Sequence, residues 1–376
     1  MLGRNRAIMP RPPGYPAPLK FQDGGSRLAR SFQRHSALNF PSHKGRAAIA
    51  TSSRLSQPSA SSTASPHSRR NRFIKRNIIA GAILLTGSAA AFSSSAQTMS
   101  SKLIPPNPDD VMVIRDVTPN VVTFSVPFLR FGRFPIGGRG TVVRLSSGGL
   151  AVFSPVALTE AAKAKIASLG GDVRYLIATD IEHHIFLSDW AAAYPDAKLV
   201  GPEGLPEKRQ KANDPKIGKE PFAVVITPGN GRDARIIGDD FAADFDMEYV
   251  HAHANRELVF LYRPDRVLVE ADLMFNLPAH EQYSRVPDAQ KPSEGWLVRL
   301  FNSFQTTDGD ALGMKRFLWH AASRSDRGAF NESVQRIAKW DFDTIVPCHG
   351  ETIVGGAKAV FEKVFAWHLE GKGAKK

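Results

Sequence analysis

The chain has 376 residues and a single cysteine, Cys348. A lone thiol excludes an intramolecular disulfide and any all-cysteine zinc cage. A reducing compartment is the default, although an exported protein without disulfides would look the same. Acids are nearly missing from residues 1–100, which hold 15 Lys and Arg and one carboxylate residue, Asp23. The remainder is close to balance, with 34 basic and 35 acidic residues, so the net +13 lies in the N-terminal stretch. The high pI is therefore no sign of a nucleic-acid surface on the folded part. No Gly-x-Ser-x-Gly occurs, which leaves nucleophilic serine catalysis unsupported. The Gly-rich Ile136–Gly140 lacks the Lys-Ser/Thr of a phosphate loop and reads as a flexible loop beside a site mouth.

Residues 1–72 are rich in Ser, Arg and Pro and poor in periodic apolar residues, so they read as a disordered basic tail. Basic and almost free of acids, they resemble an organelle transit peptide; an unstructured tail or an upstream extension is the plainer alternative, with Met99 as a candidate start. Residues 73–98 form an apolar targeting or anchor-like segment. Its apolar run, Ile78–Phe92, is 15 residues long, short of the roughly 20 that a spanning helix needs. A cleavable or membrane-skimming segment is favoured over a single-pass anchor, and membrane contact through 73–92 is one expectation. The location stays open between cytoplasmic and mitochondrial.

From Val111 onward the pattern is that of a folded domain, 110–370. Val111–Val117, Val121–Phe128, Thr141–Leu145 and Leu150–Ser154 are β-branched-rich and joined by connections too short for crossover helices, so they read as an antiparallel meander. Thr159 caps a helix over Glu160–Leu169 that stops at Gly170-Gly171. Val173–Thr179, Lys198–Val200, Phe222–Thr227, Arg235–Ile237 and Phe245–Val250 follow as strands, with a helix over Phe186–Ala193. Glu257–Tyr262 and Arg266–Glu270 form a hairpin around Pro264-Asp265. Residues 292–340 are helix-rich, Thr344–Pro347 is a last strand, and Gly356–Leu369 an amphipathic helix. Two such halves stack as two sheets with helices outside, an α/β (α+β) four-layer αββα sandwich.

The chemistry concentrates where the Val173–Thr179 strand runs out into Asp180, Glu182, His183 and His184. Ligand-type residues at the end of a strand sit where α/β folds place their sites. His251-Ala-His253, Asp272 and His349-Gly350 lie in three later stretches that could meet them. Each has a plainer reading: His183-His184 as a helix start, Asp272 as a helix cap, His349-Gly350 as a turn. Cys348 reads as a small buried residue.

Together these residues resemble the metallo-β-lactamase superfamily, and more narrowly its DUF4336-like branch, over about residues 110–370. The resemblance rests on the nineteen-residue spacing of His253 and Asp272 across a hairpin, on Val267-Leu-Val-Glu-Ala-Asp-Leu-Met-Phe275, on His183-His184-Ile-Phe186 with Trp190, and on His349-Gly350 after a strand. It implies a metallo-β-lactamase-like sandwich carrying His184, His253, Asp272 and His349 as core metal ligands, with Asp180, Glu182 and His183 as further candidates. His183 and Asp272 would be the catalytic pair. The departure is in the superfamily's T-H-x-H-x-D-H signature, for which this chain has Thr179-Asp-Ile-Glu-His-His184. With one residue deleted, Asp180 and Glu182 fall on the first two histidines; without the deletion, Thr179 and Ile181 do. The resemblance implies zinc, or iron or manganese, as one or two ions, and a hydrolase acting on a small-molecule ester, thioester or phosphodiester. The other class is a non-catalytic binding or scaffold protein with a degenerate site and no metal. Oligomeric state is not legible in the sequence.

Overall fold

The computed structural model describes residues 107–373. The basic tail 1–72 and the segment 73–98 lie outside the described residues. Among those described, no helix is long and apolar enough to cross a membrane.

Among the described residues, fourteen short strands account for the sheets. The first sheet has the order β1 (Val113–Asp116), β2 (Val121–Val126), β5 (Gly138–Arg144), β6 (Leu150–Phe153), β7 (Val173–Ile177), β8 (Lys198–Pro202) and β9 (Val224–Ile226). Its first four strands pair antiparallel and its last three add in parallel. That switch follows from the connections: tight turns in the meander, helical crossovers from β6 onward. Between β2 and β5 a small ribbon projects, β3 (Leu129–Arg130) with β4 (Phe134–Pro135). The second sheet has the order β10 (Phe245–Val250), β11 (Glu257–Tyr262), β12 (Val267–Val269), β13 (Thr344–Val346) and β14 (Ile353–Val354), with β12 and β13 parallel.

The layers follow from strands that are apolar on both faces. In β6, Ala151 and Phe153 enter the core between the sheets, while Leu150 and Val152 face the helices. In β11, Leu258, Phe260 and Tyr262 face inward, while Val259 and Leu261 meet the other helical layer. The Phe153 and Phe260 rings, one from each sheet, lie 5.1 Å apart between centroids. Helices Glu160–Ser168 and Leu187–Ala193 cover the first sheet through Ile166, Leu187 and Trp190. Helices Arg327–Ile337 and Ala357–Val364 cover the second through Phe330, Val334 and Phe361. The result is the αββα sandwich expected.

Some local expectations are corrected. Arg235–Ile237 is not a strand; Ala234–Ile236 is a 3-10 turn started by the Asp233 side chain, which accepts from Arg235 N at 3.1 Å. The Gly-rich Ile136–Gly140 is no flexible loop, since Ile136 is fully buried and Gly138 opens β5. Glycine serves close approach there: a Cβ on Gly140 would meet Ser154 O at 3.1 Å. The C-terminal helix is two pieces, Ala357–Val364 and Ala366–Leu369, interrupted at Phe365.

Candidate metal centre

The ends of β7, β12 and β13 open on one side of the sandwich and carry Asp180–His183, Asp272 and His349 respectively. Asp180 is fully buried and turns the chain: its Oδ1 accepts from the backbone N–H of Glu182 and of His183, both at 2.7 Å. The same oxygen lies 2.9 Å from His183 Nδ1. Nδ1 thereby carries a proton, and Nε2 points away from Asp180. His349 is arranged alike, with Nδ1 donating to Gly137 O at 2.7 Å. The two Nε2 atoms stand 3.1 Å apart, and Asp272 Oδ1 lies 3.2 Å from His349 Nε2 and 3.9 Å from His183 Nε2.

Among the described residues, these three offer ligand atoms that all lie within 4.8 Å of one another. Three such groups facing one point repel unless a cation, a proton or a metal ion, sits among them. Asp272 sharpens this: Oδ2 accepts from Asn255 Nδ2 at 2.5 Å, but Oδ1 is buried with no donor. An unpaired buried carboxylate oxygen is costly. Without a metal that cation is a proton on His183. Burial pulls the His183 pKa down, but Asp180 and Asp272 outweigh it and lift it to about 9. Burial opposes ionisation of Asp272, yet His183 and His349 hold its carboxyl well below the usual range. Two imidazoles and a carboxylate, each imidazole oriented by an acceptor on its far nitrogen, fit a transition-metal site.

The remaining expected residues lie around this trio. His184 is buried against Arg209, whose Nη1 is 3.3 Å from His184 Nδ1. A guanidinium only donates, so Nδ1 accepts and the proton sits on Nε2. Burial, then Lys208 and Arg209, push the His184 pKa down to about 3. His253 is buried too, and its Nδ1 accepts from Asn255 N at 3.2 Å, leaving Nε2 protonated. His184 and His253 therefore carry hydrogen-bond-donor tautomers. Glu182 turns aside to Lys208 Nζ at 2.8 Å. Asp180 orients His183 rather than joining the trio, although its Oδ2 is buried without a partner. His251 is exposed, and Cys348 is buried with its thiol pKa raised by that burial.

Sequence reasoning missed the carboxylates beneath the site. Glu257 accepts from Ala271 N at 2.6 Å and Asp272 N at 3.1 Å, fixing the turn that carries Asp272. Glu270 accepts from Met274 N at 3.3 Å. Burial first, then neighbouring carboxylates for Glu257, push both pKa values well above the ordinary range. The available signal was a Glu opening an otherwise apolar strand. Asn255, between His253 and the hairpin, gave no signal.

Residues 134–204 match the model of DUF4336, a domain of unknown function. No curated protein matches the chain. Among solved structures, a metallo-β-lactamase from Pontibacter korlensis is similar at 10% identity and a TM-score of 0.42, over 68% of this chain and 98% of its own. A metallo-β-lactamase from Hirschia baltica matches at 11% and 0.42, over 68% and 97%. The metal-soaked Flv1 flavodiiron core from Synechocystis sp. PCC6803 matches at 12% and 0.47, over 70% of this chain and 62% of that one. Identities this low carry no activity across. The segment matching DUF4336 supplies Asp180, His183 and His184, and around it two sheets lie back to back between helices; over that segment the chain is similar to DUF4336.

Proposed function

We propose that the domain is a metal-dependent hydrolase whose ion is held by His183, Asp272 and His349. The observation that carries this reading is the convergence of two imidazole Nε2 atoms and a donor-less, buried carboxylate oxygen on one point. Three protein ligands leave a position open for water or substrate, as in catalytic rather than structural sites. Zinc is the default ion, with iron or manganese compatible with the same donors. A bound ion supplies Lewis acidity and lowers the pKa of its water to about 7. Asp180 and Gly137 O hold the two rings in the ligand tautomer. Asn255 fixes the second oxygen of Asp272, so that only Oδ1 faces the ion. His253, with a proton on Nε2, is a donor suited to a substrate oxygen. An ester, thioester or phosphodiester of a small molecule is the substrate class.

A second reading, a non-catalytic binding or scaffold protein, is favoured by one observation. Asp180 and Glu182, which occupy the first two histidine positions in the gapped alignment, are engaged with His183 and Lys208. Metal content decides. Chelator-stripped protein titrated with zinc, manganese and iron(II) should bind one equivalent and melt higher. His183→Ala and His349→Ala should each lose that equivalent with the fold kept. His184→Ala should keep it, because its ring points a proton rather than a lone pair. Turnover is then read on generic ester, thioester and phosphodiester substrates. Wild-type protein that binds no transition metal and gains no stability from any would leave the scaffold reading standing.

A further inference from the structure

Two histidines beside the trio are built as hydrogen-bond donors, each by a different part of the chain. His184 is set by the helix Leu205–Gln210, which follows β8. Arg209 of that helix is 1% exposed. Its Nη1 donates to His184 O at 2.8 Å and to His184 Nδ1 at 3.3 Å. Its Nη2 donates to Ser188 Oγ at 2.9 Å and to Glu220 Oε2 at 2.6 Å. Gly218 N donates to the same hydroxyl at 2.8 Å, and Lys219 Nζ ties that strand of chain back to Arg209 O at 2.6 Å. The guanidinium is thus held from both sides against the ring. His253 is set by its own loop, where Asn255 N donates to Nδ1 at 3.2 Å. That loop is pinned by Ala254 N on Ala322 O at 3.1 Å and by Ser325 Oγ on Ala252 O at 3.0 Å. Asn255 also donates Nδ2 to Asp272 Oδ2, which joins the loop to the trio.

In both rings Nδ1 is the acceptor, so the proton of the neutral imidazole is on Nε2. Among the described residues neither Nε2 has a partner, and neither is a sealed polar atom. Net charge does not select here, because Arg209 pairs with Glu220 and Lys208 with Glu182. Selection falls to the directed N–H groups, and their number discriminates. The carbonyl of an ester or thioester has one oxygen that gains charge, which an ion with an open position serves alone. A phosphodiester spreads its charge over two non-bridging oxygens from the start, so it takes donors beyond the ion. An acyl substrate would cover these two N–H groups without satisfying them, at a cost in binding.

We propose that His184 and His253 are specificity-determining donors for the non-bridging oxygens of a phosphodiester, and that Arg209 is the positioning residue that fixes His184. This rests on the metal reading and, within it, selects one of the three substrate classes. The buried guanidinium also polarises the ring through the bond to Nδ1, which strengthens the donor at Nε2.

The test uses the full chain titrated with zinc, and dimethyl phosphate as the probe. Side-chain NMR should show His184 and His253 with the proton on Nε2, and Arg209→Met should lose that state for His184 alone. His184→Phe and His253→Phe should each weaken dimethyl phosphate binding about tenfold or more, with zinc affinity unchanged. His184→Gln, whose amide places an N–H near the position of Nε2, should restore most of that loss. A Phe variant that binds the probe like wild type overturns the proposal. So does zinc lost along with the probe, which would make the ring a ligand rather than a donor. An Arg209→Met protein whose His184 keeps its Nε2 proton overturns the role of Arg209. If that variant does not fold, the wild-type spectrum decides, since a proton on His184 Nδ1 overturns it equally. Wild-type protein that takes up no zinc overturns the metal reading and this one with it. Wild-type protein that takes up zinc and ignores dimethyl phosphate overturns this one alone.

Discussion

Replacing Arg139 by Met tests whether the His349 turn is held by an ionic brace between the two sheets. Arg139 lies in β5 of the first sheet with its side chain fully enclosed. Its Nε donates to Ser125 Oγ at 3.0 Å, Nη1 to Pro347 O at 2.7 Å and Nη2 to Glu281 Oε1 at 3.2 Å. Pro347 precedes His349 by two residues. Beyond it, Glu281 N donates to Glu351 Oε1 and Gln282 Nε2 to Gly350 O, both at 2.8 Å. Methionine matches the aliphatic reach of arginine but leaves the Pro347 carbonyl without its donor and Glu281 short of a cation. Removing one partner of a buried pair costs about 3–5 kcal/mol. Ser125 Oγ and Arg115 Nε, the latter 2.9 Å from Glu281 Oε2, still serve the carboxylate. The lower end, about 3 kcal/mol, is therefore expected. In a domain of this size that lowers Tm by roughly 6–12 °C. Arg139→Met combined with Glu281→Leu removes both charges of the pair and should recover at least half the loss. Arg115→Met, whose side chain is 38% exposed, should cost under about 1 kcal/mol. Urea and thermal denaturation followed by circular dichroism give all four values. An Arg139→Met protein within about 1 kcal/mol of wild type refutes the brace. A double variant no more stable than the single one refutes the stranded carboxylate as the cause.

Two further outcomes follow from single contacts. His368 is buried with Nδ1 bonded to Asn331 Oδ1, and burial, then Arg327, hold its pKa down to about 4. The unfolded chain takes the proton first, so this stability is present above about pH 6.5 and is lost as pH falls toward 4. Between pH 7 and pH 5 the loss is about 2 kcal/mol. His368→Gln should flatten that part of the urea-midpoint profile, and an unchanged slope would assign it elsewhere. Gly350 has φ +83°, and a Cβ there would lie 2.1 Å from Asn276 O. Gly350→Ala should cost at least about 2 kcal/mol and weaken zinc binding at least tenfold by shifting His349; a wild-type zinc affinity would show that the turn absorbs the methyl.

The sandwich was legible because its strands are short, β-branched and apolar on both faces, and because turn chemistry separates them. The Thr159 cap is an instance: its Oγ1 accepts from Ala162 N at 3.0 Å, as the sequence implied. What failed were segments whose conformation depends on distant partners. Arg235–Ile237 looks like a strand by residue type, but Asp233 and the turn at Asn230 curl it locally. The ribbon around Phe131 has no alternating pattern to reveal it; Tyr283 Oη, 155 residues away, helps pin its entry by donating to Phe128 O at 2.7 Å.

The site divides in the same way. Residue type and strand-end position picked out the histidines and Asp272, but a ring's capacity to ligate is set by what its other nitrogen touches. For His349 that partner is Gly137, 212 residues away; for His184 it is Arg209, 25 residues away. Nothing in the local sequence distinguishes the two cases. His183 is the exception, since its orienting acceptor Asp180 sits three residues earlier on the same turn. This gives the altered signature a physical reading. In the gapped alignment Asp180 stands on a ligand histidine, and a carboxylate there caps the turn and holds His183 by Nδ1. Under the proposed function, Asp180 is thus the acceptor that keeps Nε2 of His183 facing His349 and Asp272.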